Sequence, residues 1–394
     1  MNFTFPDNAE RFREEVRAFL AARPPGDYKV DAMDGGYGSG AVSHEFMRAL
    51  GERGWIGLSW PTEFGGGGRP MIETLVLAEE LALASAPMGP LTGSDQWGWS
   101  LISDANEQLR QDLLPKIAAG EYTSWQGFSE PDAGSDLLAL TTRAARDGDE
   151  YVINGRKIWS SEAGSYTHGQ VLARTHEIGD GGSRTRGLSM FVVPNDAPGL
   201  TLRPIVSLTG EVYHYEAFLD DVRVPLWRIM GPEGEGFREL LRGLDRDRFW
   251  GRFHKPPAML RNLRLLEDYA RTTRRGGRSI IEEPGLARRL AELRAETEAT
   301  RLLFYRFGWQ LDNDIPTPYE SALYKTLADE LGQRVANFAV EVLESDMMIG
   351  RDRGDLSTEM RQLYLTSVGQ TIAGGTSEVL RTTVATRGLG LAKS

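Results

Sequence analysis

The sequence predicts an α+β chain of three domains: an all-α N-terminal domain over residues 1–122, a central β-barrel or sandwich domain over 123–231, and a C-terminal helical bundle over 232–394. Three observations carry this prediction. Apolar residues recur at helical spacing before Tyr122, short alternating stretches separated by turn signals fill the middle, and long Leu-, Ala-, Glu- and Arg-rich periodic stretches occupy the remainder. At 394 residues the chain also exceeds what a single hydrophobic core usually holds.

In the first domain, Phe12, Val16, Phe19 and Leu20 mark one face of a helix over 7–22, opened by Asp7 and Asn8 and stopped by Pro24, Pro25 and Gly26. Residues 35–40 read as a flexible loop. Ser43 or His44 opens a second helix with Phe46, Met47 and Leu50 on its apolar face. An irregular connection through 61–70 leads to helices over 71–84, 95–102 and 107–119, the last closed by Gly120. In the middle domain, β-branched and aromatic residues alternate with polar ones over 150–153, 171–174, 188–193, 200–205 and 216–219. Asp147-Gly148-Asp149 and Asn154-Gly155 punctuate them as turns, and Tyr213 and His214 are read as filling another. Helices over 239–252, 260–273, 286–311, 319–345 and 358–372 form the bundle. Leu302, Phe304, Tyr305, Phe307 and Trp309 surround one of them almost completely, which implies burial on more than one side and a subunit interface as well.

Composition narrows the function. A net charge of −11 leaves no basic excess for nucleic acid, so anionic ligands must be met by local clusters. The absence of cysteine removes disulfides and thiolate chemistry, and the five histidines are too scattered for a metal site. Residues 1–12 carry charges without the apolar run of a signal peptide, and no stretch has the apolar length of a membrane span. A cytoplasmic protein without membrane association is expected.

The stretch from Thr123 to Ser161 holds two polar, glycine-containing segments separated by a hairpin. Pro131 and Gly134 punctuate the first, leaving backbone N–H groups to point at an anion, while Ser129, Ser135 and Ser161 offer hydroxyl donors. Such a stretch suits a flat, phosphate-bearing cofactor, and equally suits an ordinary hairpin with a Ser-rich turn.

Four motifs, in order, resemble the acyl-CoA dehydrogenase family of flavoproteins: Phe128-Ser-Glu-Pro-Asp-Ala-Gly-Ser-Asp136, Asn154-Gly-Arg-Lys-Ile-Trp-Ser-Ser161, the pair Asp221-Val-Arg-Val-Pro225 and Gly231-Pro-Glu-Gly-Glu-Gly-Phe237, and Gly374-Gly-Thr-Ser-Glu-Val-Leu-Arg381. The resemblance implies FAD as cofactor, with Phe128, Ser129, Trp159, Ser160 and Ser161 forming its bed. Ser129 would hydrogen-bond the flavin ring, Ser161 would lie near N5 and Trp159 against the isoalloxazine, with Gly134 and Ser135 serving the pyrophosphate or the edge of the CoA path. Thr376, Glu378 and arginines of the 274–278 segment, Arg274 and Arg278 among them, would reach a flavin shared across a dimer.

The implied reaction is α,β-dehydrogenation of an acyl thioester, in which a carboxylate removes the α-proton while hydride passes to flavin N5. One departure bears on it. Many members place a Glu immediately before the Gly-Thr of the last motif, where this chain has Gly374. Glycine cannot accept a proton, although its N–H can still polarise the thioester carbonyl. Other members supply the base from the first bundle helix, and the segment Leu244-Asp-Arg-Asp-Arg248 offers Asp247 there, with Asp245 and Arg248 beside the substrate. The same acids suit pairing with Arg242, Arg246, Arg248 or Arg252 on a charged helix face. Gln96 and Trp97 stand where the family borders its acyl tunnel, and also suit ordinary domain packing. The Glu-less ending with a bundle-helix acid is similar to actinobacterial members acting on steroid side-chain CoA esters, some of which are α2β2 heterotetramers. An electron-transfer flavoprotein is the implied acceptor, and a homodimer, homotetramer or heterotetramer the implied assembly. An oxygenase or oxidase on the same fold, and a non-catalytic subunit completing a partner's site, are the alternatives.

Overall fold

The computed structural model describes residues 4–32, 41–176, 183–349 and 355–392, and the side chains of Asp245, Arg246 and Asp247 lie outside that description. Five helices open the chain: α1 (Asp7–Ala22), α2 (His44–Glu52), α3 (Met71–Leu83), α4 (Gly89–Asp104) and α5 (Glu107–Ala118). Ser43 caps α2 by accepting from the Phe46 N–H at 3.1 Å, and Asn106 caps α5 by accepting from the Leu109 N–H at 2.9 Å. Helix α3 is buried on nearly every side, acids included. Arg13 of α1 therefore sits among Glu79 and Glu80 at 2.7 and 2.6 Å, and Arg301 meets Glu79 at 2.7 Å. Such pairing offsets the cost of burying these carboxylates. Helix α4 begins at Gly89, six residues before the predicted start, because Gly89, Pro90 and Gly93 hide a first turn from periodicity.

The middle of the chain forms β1 (Ser124–Gly127), β2 (Arg143–Asp147), β3 (Glu150–Ser161), β4 (His168–Arg174), β5 (Leu188–Pro194), β6 (Leu200–Val206), β7 (Val212–Pro225) and β8 (Ile229–Met230). They make one eight-stranded sheet with the open path β6-β7-β3-β2-β4-β5-β8, and β1 pairs with β4 in parallel. Both faces of β4 and β5 are covered. Val171, Ala173, Phe191 and Val193 join a core internal to the sheet with Trp125, Tyr151, Ile153 and Val222. The alternate residues Leu172, Leu188, Met190 and Val192 join the core of the N-terminal helices. The strict two-residue alternation thus welds the first two domains together.

The bundle comprises α6 (Gly236–Trp250), α7 (Lys255–Thr272), the short hairpin strands β9 (Arg274–Arg275) and β10 (Arg278–Ser279), then α8 (Pro284–Asp312), α9 (Glu320–Leu343), α10 (Asp346–Ile349), α11 (Leu356–Gln370) and α12 (Ser377–Thr383). Phe304 and Phe307 of α8 are buried against the aromatics Phe249 of α6 and Tyr324 of α9, Tyr305 packs on Phe5, and Trp309 is 55% exposed. The crowding of that helix therefore has one face left over.

At the junction of sheet and bundle, Glu239 in the first turn of α6 is buried, and neither carboxyl oxygen has a hydrogen-bond partner among the described residues. Gly231, at φ 78, passes close enough that a Cβ there would overlap the carboxyl. Burial, reinforced by Asp104, pushes this acid from 4.5 up to about 8. A raised folded-state pKa means the penalty is absent below about pH 4.5 and grows until about pH 8. Glu239→Gln is thus expected to remove that loss and to be more stable than the parent at pH 8 by about 2–4 kcal/mol, with no advantage at pH 4, as read by urea unfolding across pH.

Candidate active site

The two segments singled out in the middle domain lie against each other. The Ile158 N–H donates to the Ser129 carbonyl at 2.9 Å, and the Lys157 ammonium donates to the Phe128 carbonyl at 3.2 Å and to Glu130 at 2.8 Å. Lys157 and Glu130 are both buried. Glu130 also accepts from the Thr141 N–H and hydroxyl, each at 2.7 Å, and from the Thr142 N–H at 2.8 Å. Burial alone would raise Glu130, but Lys157 and these donors outweigh it and bring the carboxyl down to about 2. Burial pulls Lys157 down to about 8, so the pair is ionised at neutral pH.

Two residues beyond Lys157 the β3–β7 ladder is interrupted, and Trp159 takes φ 61 with its side chain 56% exposed. A left-handed backbone is costly for a bulky residue, about 1–2 kcal/mol. The strand then resumes, pairing Ser160 with Tyr215 and Ser161 with His214. Tyr213 and His214 therefore belong to strand β7 and not to a turn. His214 is paired on both sides, with Ser161 of β3 and Ile205 of β6, the Tyr213 carbonyl accepts from the Glu162 N–H at 2.8 Å, and His214 meets the Trp159 indole edge-on at 5.7 Å. Desolvation draws His214 down to about 4, keeping it neutral.

Ser129 and Ser161 are half-buried, Ser135 is exposed, and Ser160 is fully buried with its hydroxyl unpaired among the described residues. Gly134 has open space where a Cβ would stand and no left-handed φ, so the fold itself does not demand glycine there. Phe128 is half-buried and packs on the core shared by the N-terminal helices and the bundle.

A second group gathers around α6. Gln96 reaches the Ser100 hydroxyl at 3.2 Å and the Gly243 carbonyl at 3.4 Å. Trp97 is wholly buried, its ring 5.7 Å from that of His168. Asp245 and Asp247 fall within α6, their side chains outside the described residues. Arg248 donates to the Gly374 carbonyl at 3.3 Å. Gly374 and Gly375 turn the chain at φ 69 and 104, and Thr376 then caps α12 by accepting from the Val379 N–H at 3.3 Å. The motif thus runs into the start of α12, with Glu378 in its first turn. Arg274 and Arg278 stand exposed on the β9–β10 hairpin, whereas Arg275 is tied to the Val342 carbonyl at 2.6 Å and to Glu344 at 3.0 Å. Among the described residues there is no group of three or more acids, histidines or cysteines able to hold a metal, and no helix long and apolar enough to cross a membrane.

Sequence reasoning missed Glu130, Lys157 and the Arg248 contact with Gly374. The only available signal was an opposite-charge pair, one member in each of two adjoining motifs.

Comparison with known families matches 6–121 to the acyl-CoA dehydrogenase N-terminal domain, 126–222 to the middle domain and 234–389 to the C-terminal domain. The chain belongs to the acyl-CoA dehydrogenase family. It is an oxidoreductase of that family with the family's helical, β and helical architecture. Acyl-CoA dehydrogenase IpdE1 of Mycobacterium tuberculosis is 33% identical, with 98% of both chains covered. Among solved structures, the Tcur3481-Tcur3483 steroid acyl-CoA dehydrogenase is 31% identical with a TM-score of 0.87, covering 100% of both chains. The ChsE4-ChsE5 complex from Mycobacterium tuberculosis is 28% identical with a TM-score of 0.86, again covering 100% of both chains.

Replacing Lys157 with Met is expected to leave Glu130 buried and unpaired, costing about 3–5 kcal/mol in chemical unfolding, with Lys157→Met/Glu130→Gln recovering part of the loss.

Proposed function

We propose that this acyl-CoA dehydrogenase binds FAD on the 128–136 and 157–161 segments and desaturates an acyl-CoA thioester between its α and β carbons. The observation that carries the reading is Trp159: a large indole held out toward solvent on a left-handed backbone, flanked by Ser161 and the Ser129 loop. A fold retains such strain where a ligand makes use of it. The surrounding groups suit a flavin, since they combine a flat aromatic face, hydroxyl donors and a glycine with free space above it.

When bound, the flavin supplies a two-electron acceptor. The chain does the remainder. Ser129 and Ser161 donate toward the ring, Trp159 excludes water from it, and Gly134 and Ser135 border the phosphates. The Gly374 N–H polarises the thioester carbonyl, and Asp247, one residue before Arg248 on α6, takes the α-proton. Gln96, Trp97, Asp245 and Arg248 border the substrate. Thr376, Glu378 and the exposed Arg274 and Arg278 serve the cofactor of an adjoining subunit, where two arginines offset phosphate charge that an acidic chain otherwise repels.

A steroid side-chain ester is the favoured acyl group, by likeness to the steroid acyl-CoA dehydrogenase named above. Tyr364 and Val368 on one face of α11 and Ile372 just beyond its end are exposed, and support assembly with a second copy or a homologous chain. An electron-transfer flavoprotein is the proposed acceptor.

Two measurements test this. Anaerobic titration of the purified flavoprotein with linear, branched, aromatic and steroidal CoA esters should bleach the flavin with at least one of them. Asp247→Asn should abolish bleaching while leaving flavin content unchanged, and unchanged reduction would remove Asp247 from its role. Rapid reaction of the reduced flavin with oxygen would favour an oxidase, and a colourless protein would favour a non-catalytic subunit.

Trp159→Gly should separate strain from use. The apoprotein is expected to gain about 1 kcal/mol in thermal or urea unfolding as the left-handed backbone is relieved, while FAD affinity falls by about tenfold or more in fluorescence titration.

A further inference from the structure

The turn carrying Gly374 follows α11 directly, and the end of α11 is held by side chains of other helices. Lys325, Asp329 and Gln333 recur every four residues along α9 and so share one face. The Lys325 ammonium donates to the Gln370 carbonyl at 3.3 Å and pairs with Asp329 at 2.8 Å. The Gln333 amide donates to the Ser367 carbonyl and to the Thr371 hydroxyl, both at 3.1 Å. From α7, Lys255 pairs with the same Asp329 and donates to the Gln370 side-chain carbonyl at 2.8 Å. Ser367 and Gln370 lie in the last turn of α11, where backbone carbonyls lack partners within the helix and attract cations.

Lys255, Lys325, Asp329 and Gln370 are all at least 95% buried. Burial pulls Lys255 down to about 7 and shifts Lys325 in the same direction. An apolar cluster of equal volume would stabilise the helix packing as well or better. What apolar side chains cannot do is fix the axial position of a helix end through its carbonyls. The turn itself is closed by the Ser377 N–H donating to the Thr371 carbonyl at 3.0 Å, so displacement of the α11 end carries Gly374 with it.

We infer that Lys325, Gln333 and Lys255 are positioning residues for the reaction: they clamp the C-terminal end of α11 and thereby fix the Gly374 amide. This rests on the reading that Gly374 polarises the thioester carbonyl. The clamp acts through the turn and touches neither substrate nor cofactor.

The test uses the full-length flavoprotein with Lys325→Met and, as a milder change at a half-buried site, Gln333→Leu. Hydrogen exchange over 367–380 should accelerate by about tenfold in both variants while α9 keeps its protection. With a substrate ester, kcat should fall by about tenfold with KM changed less than about threefold, because the donor matters more in the transition state than in binding. Unchanged exchange in folded Gln333→Leu overturns the clamp, as does faster exchange with unaltered kcat. A parent protein that reduces its flavin with no thioester refutes the proposed function instead, and the exchange result then decides the clamp alone.

Discussion

The candidate site depends first on the buried ion pair between Glu130 and Lys157. Each belongs to one of the two segments that must abut, and neither ion would be tolerated in the interior without the other. Glu130 is satisfied beyond the pair by Thr141 and Thr142, so the carboxylate gathers three stretches of backbone about one point. An apolar pair of similar size would fill the space without specifying which carbonyls and amides face it. The Lys157 contact with the Phe128 carbonyl supplies that specificity, and Ser129, next in the chain, is set in place by it.

From this fixed point the strain at Trp159 becomes affordable. Only Ile158 separates it from Lys157, and the ladder resumes immediately at Ser160 and Ser161, so the left-handed residue is gripped from both sides. The β7 partner contributes rings instead of aliphatic side chains here, and His214 meets the indole edge while Tyr213 meets His214 at 4.7 Å. The sheet therefore supplies both rigidity and an aromatic surround. In the bundle, Arg248 and the α9 stripe likewise act on carbonyls, the groups that define where a backbone lies.

Much of this architecture was legible in the sequence, for reasons that differ by element. The α1 boundaries follow from Phe12, Val16 and Phe19 with prolines beyond them, and α2 from the Ser43 cap, because these signals are local. The two-sided burial of β4 and β5 needed the third dimension, since Leu188 to Val193 alternate between two apolar environments and read simply as apolar. Tyr213 and His214 read as a turn in the sequence because their pairing with β3 is non-local. Family motifs pointed to the proposed bed, the missing Glu and the candidate base. They did not disclose Glu130 as a fastening, because a charged residue inside a polar loop looks like a solvated one until its partners are known.

The substitution at Gly374 is better understood as part of a conformation than as the loss of one group. At φ 69, followed by Gly375 at φ 104, the chain turns through two successive left-handed residues, a path that disfavours any side chain. Arg248 donates to the Gly374 carbonyl, and its guanidinium lies 3.5 Å from where a Cβ on Gly375 would stand. A carboxylate introduced at this turn would meet both backbone strain and a cation ready to pair with it, and pairing lowers the basicity that proton abstraction requires. In the proposed function, base and carbonyl-polarising donor are therefore divided between α6 and the turn. Arg248 joins them, since it follows Asp247 on the helix and holds Gly374 on the turn. Moving the base to α6 thus leaves the glycine turn free to serve as a donor alone, and makes the spacing between helix and turn the quantity that the surrounding charges must hold constant.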